Sequence, residues 1–339
     1  MKVLMMHGLD TAMPSGGPTA RCLRSRVNAD LDLVFESMQL FELRSVLHPL
    51  AWRYRSGLGA VFALALGTTA FAHRLLLRRQ RRRAGIIAAL GTFFCIRLFK
   101  AAKQWIVRGM MEHSLRVQQK ALRRHKPDVV VASSWGGACC IELMRTKHWL
   151  GPTVLLAPAQ FKIAAKAGLD RERDAKQWPW IPHDHPANIV IVHGDSDAVI
   201  PLADSEALIA RLRLDAARAA LSAPRDDGDD VGDDVGDGGA RREHRPTFVR
   251  RLQVSPDDTF ATRAEMRVLM CEACGVPVDS ASHRFARGDA PLTSLRAREL
   301  RVTKGQTHKL CGVKEPSGVA MRGLIEFALI GTRRAQVAV

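Results

Sequence analysis

The sequence predicts an α/β fold, in which a mainly parallel sheet carries helices on both faces. Three observations predict it: short β-branched apolar runs recur along the chain, segments with helical periodicity separate them, and glycine or polar residues follow most of the runs. The predicted strands are Lys2–Met6, Leu31–Phe35, Asp128–Ala132, Thr153–Ala157, Asn188–Val192 and Glu299–Thr303. The predicted helices of the same core are Ser114–Lys126, Gly136–Lys147, Ala203–Leu214 and Gly318–Leu329.

Two insertions interrupt this alternation. The 339 residues are 47% hydrophobic, which is enough to bury a sizeable core. We predict that the core comprises 1–40, 113–214 and 297–339. Residues 41–112 form a basic, apolar helical insertion. Residues 215–296 form an irregular late insertion, whose acidic repeat DDGDDVGDDVGD is expected to be a flexible loop.

The positive charge of the chain is concentrated around the first insertion. Residues 44–126 contain 18 Lys or Arg and one acid, Glu112, so this stretch alone carries the net charge of +17. It contains no recognisable nucleic-acid-binding motif, and no nucleic-acid partner is expected. It does contain two apolar runs of 16 residues each, Gly57–Ala72 and Ala84–Phe99, with Arg78–Arg83 between them.

These runs are short for membrane spans, which need about 20 residues. We therefore expect this insertion to form a helical cap that associates with anionic membrane surfaces, where basic residues are attracted to the headgroups. A two-helix membrane hairpin and a soluble lid packed on the core are the alternatives. The localisation that follows is cytoplasmic, with peripheral or integral membrane association.

The cysteine pattern is typical of a reducing compartment. Seven cysteines are scattered along the chain, and no cleavable signal peptide is visible at the N-terminus. The pair Cys271 and Cys274 has half of a zinc-site spacing, but His283 and Cys311, which could complete it, lie at irregular distances. The acidic repeat lacks the ligand spacing of a calcium-binding loop. No metal or organic cofactor is expected.

The segment Val129–Gly137 predicts a nucleophilic serine at a sharp turn between a strand and a helix. The residues two before and two after such a serine must be small, because their side chains would otherwise collide across the turn. Ser134 is flanked in this way by Ala132 and Gly136. With Ser133 as nucleophile, the flanking residues would be a valine and a tryptophan. The pattern therefore selects Ser134. The competing interpretation is an ordinary turn with a helix-capping serine.

A candidate acid follows a later strand. Asp195 and Asp197 both lie just after the predicted strand Asn188–Val192, and the spacing from Gly194 and to Pro201 favours Asp197. Carboxyl ends of parallel strands meet at one edge of a sheet, so a carboxylate here can lie near Ser134. The alternative is a turn in which aspartate makes only local hydrogen bonds.

The remaining candidates complete a catalytic site. His308 follows the predicted strand Glu299–Thr303 and precedes the last helix, which makes it the candidate general base. The order Ser134, Asp197, His308 is the triad order of one serine-hydrolase fold and differs from the order in other serine proteases. The backbone N–H groups of Leu9 and Trp135 are the candidate oxyanion donors.

On these residues the chain resembles the α/β-hydrolase superfamily, and more narrowly the small bacterial esterase-like serine hydrolases with a Gly-Ser-Ser-Leu-Gly-Gly elbow. Ala132–Gly137 matches that elbow except at Ala132 and Trp135, and Ala157–Ala159 is similar to a short proline-containing segment of those proteins. The resemblance covers about 1–40, 113–214 and 297–335.

The resemblance implies hydrolysis of a carboxylic ester or thioester from a small molecule or a lipid, through an acyl-enzyme on Ser134, with no cofactor. An acyltransferase would use the same triad. A catalytically idle α/β-hydrolase-like protein, used for binding or membrane association, is the alternative from another class.

Overall fold

The computed structural model describes residues 1–8, 23–24, 28–38, 51–172, 174, 177–221, 247–254, 296–303, 306 and 319–329. Seven strands and six helices lie in these ranges. The strands are β1 (Lys2–Met6), β2 (Asp32–Phe35), β3 (Val129–Ser133), β4 (Thr153–Leu156), β5 (Ile189–Gly194), β6 (Thr247–Val254) and β7 (Arg296–Thr303). The helices are α1 (Ala51–Leu77), α2 (Arg81–His125), α3 (Trp135–Arg145), α4 (Gln160–Lys166), α5 (Leu202–Leu221) and α6 (Val319–Leu329).

All seven strands form one parallel sheet in the order β2-β1-β3-β4-β5-β7-β6. Side chains of successive strand residues point to opposite faces, so Leu4 and Val130 join one core cluster while Val3 and Val131 join another. Helices α2, α3, α4 and α5 pack on the first face, and α6 covers the second. The predicted α/β fold, with a parallel sheet between helices, is confirmed.

Parallel order has a consequence for function. The carboxyl ends of β1, β3, β5 and β7 lie along one edge of the sheet, and the candidate residues follow those four ends in the chain. In open α/β sheets, ligands bind in the crevice outside these strand ends. The topology therefore brings the sequence-predicted segments to the same side of the molecule.

The first insertion is a hairpin of two long helices. Helix α1 has 27 residues and α2 has 45, with Arg78–Gln80 as the connecting turn. Helix α2 runs without a break from the insertion into the core, where Gln118, Ala121 and Leu122 are buried. It ends before Pro127, as the sequence predicts, because proline disfavours the helical conformation of the residue before it.

One strand was not predicted. Residues 247–254, within the late insertion, form β6 at the edge of the sheet beside β7. Its sequence TFVRRLQV is interrupted by two arginines and a glutamine, so no continuous apolar run marks it. An edge strand tolerates charge better than a central one. The acidic repeat of the same insertion lies outside the described residues.

Candidate functional site

Ser134 has an unusual backbone conformation at the junction of β3 and α3. Its φ is 52° and its ψ is −111°, a combination that side-chain-bearing residues rarely adopt. The turn is held from both sides: the N–H of Ser134 donates to the carbonyl of Leu156, and the N–H of Ala159 donates to the carbonyl of Ser134. The end of β4 thus fixes a strained serine in place. Strain of this kind is concentrated at functional sites.

The glycines after Ser134 allow close packing around the turn. A Cβ at Gly136 would overlap the backbone of Met6, and one at Gly137 would lie 2.8 Å from the Cβ of Pro158. The sequence argument for small flanking residues anticipated that Gly136 must be small. Its physical basis is the backbone at the end of β1, which passes directly against the first turn of α3.

Sulfur nucleophiles are excluded near this turn. Cys139 and Cys140 lie on α3 with no exposed surface. Burial raises the pKa of the Cys139 thiol to about 12 and also raises the pKa of Cys140, since a thiolate would lose its hydration there. Both thiols stay protonated at neutral pH and are inert. These two thiols are therefore not candidates for a nucleophile beside Ser134.

Trp135 anchors the turn to α2. Its side chain is buried, and its indole N–H donates to the hydroxyl of Ser114 over 3.0 Å. It belongs to a core cluster that includes Ile163 of α4 and against which Met111 of α2 packs. The sequence suggested only a backbone role for Trp135, as an oxyanion donor. The side chain has a second effect, because it fastens the residue after Ser134 to the helix that continues into the hairpin.

Asp197 and Asp195 differ sharply in their surroundings. The side chain of Asp197 is fully buried in the loop after β5, whereas Asp195 is exposed. One carboxylate oxygen of Asp197 accepts backbone hydrogen bonds from Val199 at 2.7 Å and Ile200 at 2.8 Å. Asp195 accepts from the neighbouring Ser196 hydroxyl. A buried carboxylate with a fixed orientation is the one suited to orient a histidine.

His193, which the sequence analysis did not single out, organises the same loop. It is completely buried at the end of β5. Its Nε2 donates to the carbonyl of Ile200 at 3.0 Å, and its Nδ1 accepts from the Ser205 hydroxyl at 2.7 Å. Nε2 also lies 3.5 Å from the second carboxylate oxygen of Asp197. These bonds tie the start of the loop to its end and thereby position Asp197.

The segment that leads to His308 contacts this loop. The carbonyl of Gln306 accepts a hydrogen bond of 3.1 Å from the N–H of Ser196, and a Cβ at Gly194 would overlap that same carbonyl. Gln306 stands two residues before His308 and one residue before Thr307. His308 itself lies outside the described residues.

The segment after β1 lies beside the serine. A Cβ at Gly8 would lie 3.2 Å from the Cβ of Ser134 and 3.7 Å from its hydroxyl oxygen. His7 is buried, and desolvation lowers its pKa, so the imidazole is neutral at pH 7. Its Nδ1 donates to the carbonyl of Gly8 at 2.9 Å. Leu9, the other predicted oxyanion donor, lies outside the described residues.

A separate cavity lies between α2, α3 and α4. Its volume is about 530 Å³, and Met111, Ile163 and Leu169 supply apolar walls. The buried carboxamide of Gln160 also lines it, with no hydrogen-bond partner among the described residues. Within the described part of the chain, Ser134 and Asp197 are not among the lining residues. The cavity is therefore distinct from the strand-end site.

No group of three or more His, Cys, Asp or Glu that could hold a metal occurs within the ranges given above, and Cys271, Cys274, His283 and Cys311 lie outside those ranges.

Comparison with family models, with curated proteins and with solved structures finds no match to this chain.

Proposed function

We propose that this chain is a serine hydrolase of the α/β-hydrolase type that cleaves a carboxylic ester or thioester through an acyl-enzyme on Ser134. The observation that carries the proposal is the backbone of Ser134, whose φ of 52° and ψ of −111° occur between a buried strand and a helix. A helix-capping serine needs no such strain. A nucleophile held away from the strand at the sheet edge does require a sharp, strained turn.

In the proposed reaction, the hydroxyl oxygen of Ser134 attacks the acyl carbon while His308 accepts its proton. The tetrahedral intermediate places its negative charge near the N–H of Trp135 and the N–H of Leu9. His308 then protonates the leaving alcohol or thiol as the bond to it breaks. Water, deprotonated by the same imidazole, attacks the acyl-enzyme and releases the acid and free Ser134.

Three features of the structure support these roles. Gly8, which directly precedes the proposed oxyanion donor Leu9 in the chain, packs against Ser134. Asp197 is buried and held by two backbone donors. The loop that carries Asp197 bonds to Gln306, two residues before His308. The candidate acid and base therefore belong to segments that touch.

The test compares the two adjacent serines. The full-length protein in detergent is treated with a fluorophosphonate probe, which reacts covalently with activated serines, and is assayed with p-nitrophenyl acetate and a short acyl thioester. We expect labelling and hydrolysis in the wild type and in Ser133→Ala, and neither in Ser134→Ala. Loss in Ser133→Ala alone would place the nucleophile one residue earlier. A wild-type protein that neither labels nor hydrolyses would support the catalytically idle alternative.

A further inference from the structure

The α1–α2 hairpin is packed with small residues inside and large apolar residues outside. Gly57 and Gly91 are buried between the helices, where a Cβ would lie 3.3 Å from Ala102 and 2.7 Å from Thr68, respectively. Eleven large apolar side chains between residues 62 and 99 are 51–73% exposed: Phe62, Leu66, Phe71, Leu76, Leu77, Ile86, Leu90, Phe93, Phe94, Ile96 and Phe99. Water-soluble proteins bury such side chains. Small residues at helix contacts are typical of membrane proteins, where lipid surrounds the large ones.

The exposed apolar residues are not confined to one face. At 100° per residue, the exposed side chains of α2 between Ile86 and Phe99 spread over more than half of the helix circumference, and the rest of the circumference faces α1. A helix that lies flat on a membrane needs a polar face opposite its apolar face. A lid that packs on the core would bury one face. Neither a helix lying flat on a membrane nor a lid packed on the core would cover the apolar side chains on all exposed sides of α2.

The hydroxyl groups of the hairpin are satisfied internally. The stretch from Ser56 to Phe99 contains four hydroxyl residues, and each donates to the carbonyl four residues earlier in its own helix: Ser56, Thr68, Thr69 and Thr92. Hydroxyls that bond back in this way need no water. In hydrocarbon, where unpaired polar groups cost several kcal/mol, this is the arrangement required.

Charge marks both ends of the apolar stretch. At the tip, Arg78, Arg79 and Arg81–Arg83 surround the turn, and near the core Arg97, Lys100 and Lys103 follow along α2. Arg81 and Lys103 are 22 residues apart, which is about 33 Å along a helix. The hydrocarbon core of a bilayer is about 30 Å thick. Arg81 and Lys103 are thus spaced like the two headgroup layers, whereas Arg83 and Arg97 are 14 residues, or about 21 Å, apart.

We propose that the α1–α2 hairpin spans a lipid bilayer, with its large apolar side chains among the acyl chains, the Arg78–Arg83 tip in the far headgroup layer and the Arg97–Lys103 belt in the near layer. Both helices are long and apolar enough to cross a bilayer, and only 11% of the apolar 18-residue segment of each helix is buried. A core helix of a soluble protein would be mostly buried. Arg97 lies about 9 Å from Lys103 along the helix axis. Its long side chain extends the guanidinium towards the near headgroup layer.

This proposal is independent of the proposed hydrolase activity, and it differs from the surface association that the sequence favours. Counting apolar residues between charges makes each run short for a span. The structure shows longer helices, because α1 continues to Leu77 and α2 begins at Arg81. Arginine and lysine at the ends of these helices can lie along apolar surface with their charges in the headgroup layer, so the usable span exceeds the uncharged run.

The first experiment is flotation with matched variants. The full-length protein is reconstituted into phosphatidylcholine vesicles in which about one fifth of the lipid is phosphatidylglycerol. The vesicles are washed in about 1 M salt, where the Debye length falls to about 3 Å, and separately in alkaline carbonate. We expect wild type to float after both washes. Phe94→Glu should lose at least half of this carbonate-resistant fraction, and Leu214→Glu should lose none. Phe94 and Leu214 are 56% and 55% exposed, but Leu214 lies on α5, outside the hairpin.

Each other outcome overturns the proposal. Release by salt would indicate surface association, and failure to float at low salt would indicate a soluble lid or a protein partner. Equal losses in both variants would show that the effect is not specific to the hairpin.

The second experiment tests whether the tip crosses the membrane. Arg82→Cys at the tip and Lys103→Cys at the base are introduced singly into a variant whose seven native cysteines are replaced by serine or alanine. Each is expressed in bacterial cells, which are converted to spheroplasts and treated with a membrane-impermeant maleimide. Both positions are exposed. We expect only one of the two positions to label in intact spheroplasts and the other to label only after lysis, because the two ends of a spanning hairpin lie on opposite sides of the membrane. Labelling of both only after lysis would rule out a spanning hairpin. Cys95, within the apolar stretch, should label only in detergent when it is the one cysteine kept in the protein.

Discussion

The strained backbone of Ser134 makes a quantitative prediction about stability. A non-glycine residue in a sparsely populated φ/ψ region costs about 1–3 kcal/mol. Glycine relieves this cost but loses about 0.5–1 kcal/mol more conformational entropy on folding than alanine does. Ser134→Gly should therefore be more stable than Ser134→Ala by about 1 kcal/mol. Both variants lack the hydroxyl, so the comparison isolates the backbone.

The neighbouring serine supplies the control. Ser133 ends β3 and has no positive φ, so nothing is gained there by removing a side chain. Ser133→Gly should be less stable than Ser133→Ala by about 0.5–1 kcal/mol, the ordinary cost of glycine in a strand. The sign of the glycine-minus-alanine difference thus reverses between two adjacent positions.

Thermal unfolding in a mild detergent measures both differences. For a large domain, 1 kcal/mol corresponds to a shift in Tm of about 2–4 °C. We expect Ser134→Gly to melt higher than Ser134→Ala while both lack esterase activity. A Ser134→Gly variant that melts below Ser134→Ala would refute the strain argument. It would also remove the main support for a nucleophile at this position, since an unstrained serine would then be an ordinary cap.

The remaining predictions concern the other members of the site. Asp197→Asn keeps the oxygen that accepts two backbone hydrogen bonds but loses the charge, so esterase kcat/KM should fall at least about 100-fold. The control, Asp195→Asn, should change kcat/KM less than about threefold. Equal losses in the two folded variants would contradict the assignment of Asp197. Activity should rise with pH through about 6–7, because only neutral His308 accepts a proton, and a flat profile from about pH 5 to 8 would exclude a histidine base. Gly194→Ala should reduce activity strongly, because the added methyl group overlaps the carbonyl of Gln306 in the segment that leads to His308. Gly85→Ala is the control, since a methyl group there has no other atom within 4 Å, and it should leave activity unchanged.

The sheet was predictable because its central strands are buried on both faces. A parallel strand under helices on both sides must be apolar throughout, so Val129–Val131 and Ile189–Val192 stand out as β-branched runs. The edge strand β6 has no such requirement on its outer side and was missed. The length of α2 was also missed, since its composition changes from apolar to basic at about Arg97 while its backbone remains helical.

The candidate site, like the sheet, was predictable from the sequence only in part. Steric requirements are local, so the choice of Ser134 over Ser133 followed from the sizes of neighbouring residues, and the strained φ belongs to the chosen serine. The choice of Asp197 followed from spacing, and its burial supports it. The role of His193 depends on bonds to residues 7 and 12 positions further along the chain, Ile200 and Ser205. No local pattern reveals which atoms a buried imidazole will meet.

The two proposals are joined by one helix, and that helix limits the substrate. Phe99 is the last large exposed apolar residue of α2, and Ser114, which bonds to Trp135 beside the proposed nucleophile, follows 15 residues later. The separation between Phe99 and Ser114 is about 22 Å along the helix axis, and this is their difference in height when the hairpin is perpendicular to the membrane. A headgroup layer occupies only about 5–7 Å beyond the hydrocarbon. Ser134 would then stand well above the lipid surface, out of reach of an ester bond that stays at the headgroup level. Of the small-molecule and lipid acyl substrates expected from the sequence, a water-soluble ester or thioester is favoured. Rates on p-nitrophenyl acetate should accordingly be the same in detergent and in vesicles, whereas a rate that rises several-fold on reconstitution would argue for a lipid substrate and a tilted hairpin.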